Sequence, residues 1–180
     1  MSLFLATLLP GFVLAALGAV LLVPHPKVRA VLQALPRSQA AALVLFGGGA
    51  LWFLAIVANM GDADRILGDS NVPWVLGFAI LGVLSFKYVP DFLAVRGLSI
   101  LLLLAATPLL RAGFMDFRLQ VYPLKILVYV AIVAALYLAA VPYRLRDFFQ
   151  WLYGRPGRSR AGGAALLTYG FVLIIVAFSC

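Results

Sequence analysis

The chain has 180 residues, 65% hydrophobic and 11% charged, with a mean hydropathy of +1.10 and a formal net charge of +8. Soluble domains carry about 25% charged residues, and a water-exposed fold of this length has too much surface to hide so many apolar side chains, so lipid is the solvent. The basic residues lie in short clusters between long apolar runs, which is membrane-flanking charge and not a nucleic-acid patch. All six acidic residues are Asp, and the single cysteine, Cys180, rules out disulfides within the chain, CxxC motifs and Cys-rich metal sites.

The first apolar run, residues 3–23, lacks a basic leader, is too long for a signal-peptide core and is followed by Val-Pro-His-Pro; it reads as a retained span. Within it Gly11, Ala15 and Ala19 fall at i, i+4 and i+8, a face for close helix packing. The connector VPHPKVRAVLQALPRS then places Val28, Val31, Leu32 and Leu35 on one stripe. That spacing predicts an amphipathic helix over 26–36, lying in the interface with Lys27 and Arg29 toward anionic headgroups. His25 is the only histidine; a lone imidazole provides neither bis-histidine haem ligation nor a His-rich metal centre, and it reads as a loop residue.

The second span, 40–58, carries the small patch Gly47, Gly48 and Gly49, suited to packing within the bundle or against a partner subunit. The following loop, GDADRILGDSN, is acidic. Ile66 and Leu67 occupy the places where a calcium loop needs an oxygen ligand and a glycine, so it reads as a solvated connector. Ser70 or Asn71 is expected to cap the third span, 72–89, and Asp91 the fourth, 92–110. The fourth is the weakest. Its charge-free part, 97–110, covers only about 21 Å as helix, contains Pro108, and needs Arg96 and Arg111 to snorkel.

After the fifth span, 122–141, comes VPYRLRDFFQWLYGRPGRSR. Leu145, Phe148, Phe149 and Leu152 make a second amphipathic stripe, predicting an interfacial helix over 143–153. Arg144, Arg146, Phe148, Phe149 and Trp151 are its lipid-interface residues, joined by Arg155, Arg158 and Arg160. RPGRSRAGG is expected to turn flexibly into the last span, 164–179. VRAVLQAL in the first connector aligns with LRDFFQWL here, with Arg29 on Arg146 and Gln33 on Gln150. Two readings stay open: a duplicated helical hairpin, or two connectors meeting the same demands.

The odd-numbered connectors hold ten of the fourteen basic residues, which orients them to the cytoplasm, places both termini outside, and favours six spans over five. Every Asp lies in a loop, so a proton-coupled transporter relying on its own carboxylates is disfavoured. Ser85, Ser99, Thr107 and Thr168 are the polar groups at depth, expected as helix glue. The sequence therefore predicts a single-domain, all-α integral membrane protein: six transmembrane helices with short loops and amphipathic interfacial connectors. The expected role is a non-catalytic scaffold or accessory subunit of a larger complex in the cell inner membrane, without cofactor or metal. Its partners would be anionic lipid headgroups and other membrane subunits or a second copy. The alternatives are a substrate-binding transport or permeation component, and an interfacial lipid-modifying enzyme using Asp91 and Asp147.

Overall fold

Charge-free runs become helices because lipid offers the backbone no hydrogen-bond partners, so each segment must satisfy its own N–H and C=O groups. The computed structural model describes residues 1–23, 25–61 and 70–179. Among them no strand occurs, and eight α-helices follow one another: α1 (Leu3–Leu22), α2 (Pro26–Ala34), α3 (Gln39–Ala58), α4 (Val72–Tyr88), α5 (Leu93–Ala112), α6 (Tyr122–Ala140), α7 (Tyr143–Tyr153) and α8 (Pro156–Phe178). Five of these, α1, α3, α5, α6 and α8, are long and apolar enough to cross a membrane, and α4 is shorter at 17 residues. The chain is thus a helical, multi-pass membrane protein. The acidic loop 62–69 and Cys180 lie outside the described residues.

Local chemistry sets the helix starts. Ser2 and Ser38 cap α1 and α3 by accepting from the N–H groups of Leu5 and Ala41, at 3.4 and 3.2 Å. Prolines stand in the first turns of α2, α4, α6 and α8, where the missing N–H costs nothing. At α4 the hydroxyl of Ser70 accepts from Val72 N–H, whereas the Asn71 amide reaches back to donate to the Ala58 and Met60 carbonyls closing α3. Asp91 does not cap α5. The N-cap is Phe92, which reverses the chain in the left-handed conformation (φ 58°) and makes no side-chain cap.

The last helix starts earlier than its composition suggests. RPGRSRAGG is not a flexible turn: α8 runs helically from Pro156, through Gly157, Gly162 and Gly163. Proline at the first position initiates it, and Gly163 is recruited into helix packing. A Cβ on Gly163 would stand 2.8 Å from the Gly18 carbonyl oxygen, and one on Gly18 would stand 2.5 Å from the Leu167 nitrogen. Gly11 and Gly170 repeat the arrangement one heptad away, with a Gly170 Cβ 2.7 Å from the Gly11 oxygen. Gly11 with Gly18, and Gly163 with Gly170, are each seven residues apart, two turns at about 3.5 residues per turn. Rows of missing side chains let the two backbones touch along their length. The pairing is antiparallel, and the Phe4 and Phe178 rings close it at the terminal end, 5.6 Å apart.

The second close pair is α3 with α5. A Cβ on Gly97 would clash with the backbone nitrogen of Phe46, and Gly49 faces Ile100. Residues 46 and 49 thus meet 97 and 100, so these two helices run parallel. Ala42, Phe46, Leu93 and Ala94 form the core between them. On its other side α5 joins α1 and α6 through Ala6, Ala106, Leu124 and Val128. The segment expected to be weakest is therefore the hub of the bundle, burying Leu93, Ala94, Val95, Gly97, Ser99 and Ala106. Helix α4 packs antiparallel to α3, with Phe86 on Phe46 and Phe78 on Phe53 at 5.3 and 5.0 Å.

Candidate functional site: a basic cleft beside the amphipathic connectors

Helices α2 and α7 emerge at the same end of the bundle and lie in contact. The α7 stripe turns Leu152 fully into the protein, with Leu145 and Phe149 partly buried, while Phe148 and Trp151 stay about half exposed. Phe148 stacks near Trp151 at 6.1 Å and leans on Phe149 at 5.9 Å. On α2, Val31 is exposed and Val28, Leu32 and Leu35 are partly buried. Both helices present aromatic or aliphatic side chains outward beside cations, as an interfacial segment must.

The cations fall into two groups. Arg146 is tied to Asp147 at 2.9 Å. Arg144 lies 5.9 Å from the Tyr143 ring. Arg158 donates to the Trp151 carbonyl at 3.1 Å and covers its indole at 4.6 Å, and Lys27 is exposed at the start of α2. Arg29, Arg155 and Arg160 instead line one cleft of about 280 Å³, together with His25, Pro26, Tyr153 and Ser159. The Arg29 guanidinium sits 5.8 Å over the Tyr153 ring. Among the described residues none of these three arginines is paired with a carboxylate.

The uncharged lining is also rich in donors. The Tyr153 hydroxyl is buried without a hydrogen-bond partner; burial pushes its pKa above the ordinary 10.0, against the opposing pull of Arg29, so the phenol keeps its proton at neutral pH. His25 Nδ1 accepts from Lys27 N–H at 3.2 Å, which leaves the proton of a neutral ring on Nε2 as a donor. Asp91 and Asp147, the carboxylates of the enzyme alternative, do not line the cleft. Among the described residues no three His, Cys, Asp or Glu side chains gather as a metal site.

The sequence pointed to Arg29, Arg155 and Arg160 as interface charges but missed the cleft's His25 and Ser159. Tyr153 was legible only as the last residue of the interfacial helix expected over 143–153. The signal for all of them is proximity of two connectors separated by more than a hundred residues, which no local pattern encodes.

The small-residue faces separate similarly. Gly11 and the partly buried Ala15 pack on α8, while Ala19 is exposed. The seam follows a seven-residue repeat and passes through Gly18 instead. Gly49 faces α5, but Gly47 and Gly48 have open space beside them, as do Gly77 and Gly82 on α4. Helix α4 itself buries no residue, and α3 is its one substantial neighbour. No family model, characterised protein or solved structure matches the chain.

Proposed function

We propose that this chain is a non-catalytic accessory or scaffold subunit of a larger complex in the cell inner membrane, docking its partner along α3 and α4. The observation that carries this reading is the state of α4: an apolar helix with no buried residue, held mainly by α3, next to open glycines that permit close backbone approach. Native mass spectrometry after gentle extraction from the source membrane tests it. Co-purification with other chains at fixed stoichiometry is expected, and a lone chain free of partners would refute it.

Six crossings are part of the proposal. The antiparallel pairing of α1 with α8 supports both termini on one side of the membrane and an even number of crossings. The parallel run of α3 and α5 supports a return of the chain between them, and α4, about 25 Å long at ~1.5 Å per residue, is the segment suited to it. The excess of arginine and lysine at the connector end supports a cytoplasmic location for α2 and α7. Labelling with a membrane-impermeant maleimide in intact cells checks this: Cys180 should react from outside, whereas a cysteine at position 157 in a Cys180→Ser background should not.

The transport alternative has its own observation, an apolar cleft of about 550 Å³ between the ends of α3 and α4, walled by Phe53, Trp74 and Phe78. A defined small molecule retained by the purified chain, and lost in Trp74→Ala, would favour it over the subunit reading.

A further inference from the structure

Hydroxyls within a transmembrane helix normally turn back on their own backbone. Thr7, Ser85 and Ser99 do so, donating to the carbonyls of Leu3, Leu81 and Val95, four residues earlier, at 2.9, 2.8 and 3.1 Å. Thr107, Thr168 and Ser159 do not, and of these three Ser159 is the buried one. It is 4% exposed, yet its hydroxyl has no partner among the described residues, and it lines the basic cleft. The Tyr153 hydroxyl, buried and equally without a partner, lines the same cleft. The Tyr153 hydroxyl, buried without a partner, costs about 1–3 kcal/mol, and an acceptor in the cleft would serve it and the Ser159 hydroxyl together.

The rest of the lining specifies what kind of acceptor. Arg29, Arg155 and Arg160 supply three positive charges without carboxylate partners, and His25 adds an imidazole donor. The cleft also opens at the start of α8, whose N-cap, Arg155, makes no side-chain hydrogen bond. The positive end of the helix dipole therefore adds to the cationic field. Side-chain donors on six of the seven lining residues, forked guanidiniums among them, match the tetrahedral oxygens of phosphate. The volume, just below the roughly 300–1,000 Å³ typical of ligand pockets, suits a headgroup or a small inorganic anion.

We propose that the cleft between α2, α7 and the start of α8 is a phosphate-binding site, in which Arg29, Arg155 and Arg160 hold the charge and Tyr153 and Ser159 donate their hydroxyls to it. The inference goes beyond the docking reading, which concerns α3 and α4, and shares with it only the placement of this end of the bundle at the lipid interface. The phosphate belongs either to a membrane lipid or to a soluble anion. The proposal differs from general attraction of an anionic leaflet in one respect. It is saturable at one site, and it depends on Arg29 but not on Arg144.

The test uses full-length protein stripped of lipid in a neutral detergent. Inorganic phosphate is titrated by calorimetry, and retention of phosphatidic acid or phosphatidylglycerol is followed by native mass spectrometry. Wild type should bind one equivalent of at least one of these probes. Arg29→Gln should weaken that binding by about tenfold or more, and Tyr153→Phe and Ser159→Ala each by a few-fold, about the worth of one charge-assisted or neutral hydrogen bond. Arg144→Gln should bind as wild type does. Lipid binding alone identifies a headgroup site, phosphate binding alone a soluble ligand, and binding of both shows that the phosphate group itself is recognised. Absence of saturable binding in every arm overturns the proposal. So does an equal loss in Arg29→Gln and Arg144→Gln, which would reduce the cleft to diffuse surface charge. Thermal melting of each variant separates lost binding from lost folding, and Ser159→Ala, a deletion of one oxygen, is expected to melt with wild type.

Discussion

Gly18 in α1 and Gly48 in α3 lie in helices of equal length and similar apolar content, yet their surroundings are opposite. A methyl group on Gly18 would clash with the α8 backbone at 2.5 Å, whereas one on Gly48 would meet nothing within 4 Å. The first glycine belongs to a finished contact and the second to an edge that the chain leaves bare. In lipid this difference matters more than apolar character, because hydrocarbon solvates leucine as well as another helix does. What holds two helices together there is close packing, and close packing needs an absent side chain on the facing surface. The seam of α1 with α8 and the open side of α3 with α4 thus separate what the chain packs for itself from what the proposed docking would cover.

The contrast can be broken most severely at the seam. Gly18→Leu should force α1 from α8 and lower stability by about 3 kcal/mol, the upper range for overpacking where backbone cannot yield; a melt in detergent followed by circular dichroism would register it. Gly48→Leu should leave the same melt unchanged within about 0.5 kcal/mol, while sharply reducing recovery of partner chains in a pull-down. If Gly48→Leu unfolds the protein, or if partners survive it, the division between the two glycines is wrong.

A milder test lies at α6 and α8, where the Tyr169 hydroxyl donates to the Pro123 carbonyl at 2.9 Å. Tyr169→Phe should cost about 1 kcal/mol in the same melt. The smallest effect belongs to Asp116, at the terminal end. The Arg118 guanidinium and backbone N–H hold its carboxyl at about 2, below the ordinary 3.8. A carboxylate with a depressed folded-state pKa contributes stability above its unfolded value and loses it as protons bind. Stability should therefore decline slightly between about pH 4 and pH 2, and Asp116→Asn should flatten that decline without altering the melt at pH 7.

Most of the helices were legible, because a long run without charge can hardly be anything else in lipid. Their pairing was not. Hydropathy reports a helix's average, and pairing depends on where its few small residues fall. Gly11, Ala15 and Ala19 suggested a four-residue repeat, while the contact runs through Gly11 and Gly18 and is recognisable only beside the matching interval of Gly163 and Gly170. Likewise 92–110 looked weak from its flanking arginines and Pro108, yet Gly97 lets it sit against Phe46 at the centre of the bundle. The glycines of RPGRSRAGG suggested flexibility for the same reason: the sequence does not disclose that Gly163 has a neighbour. The basic cleft was half legible, since its arginines stand out, but its hydroxyls become notable only once they are seen to lack partners.

The seam between α1 and α8 also sets an order of events. Helix α1 leaves the ribosome before α8, with more than 130 residues between the end of one and the start of the other. At synthesis rates of about 5–20 residues per second, α1 waits roughly 7–30 s for its mate. Throughout that interval its groove of bare backbone is open to any passing helix. The seam thus closes only when α8 arrives, and a chain halted before it leaves α1 in the membrane still unclaimed.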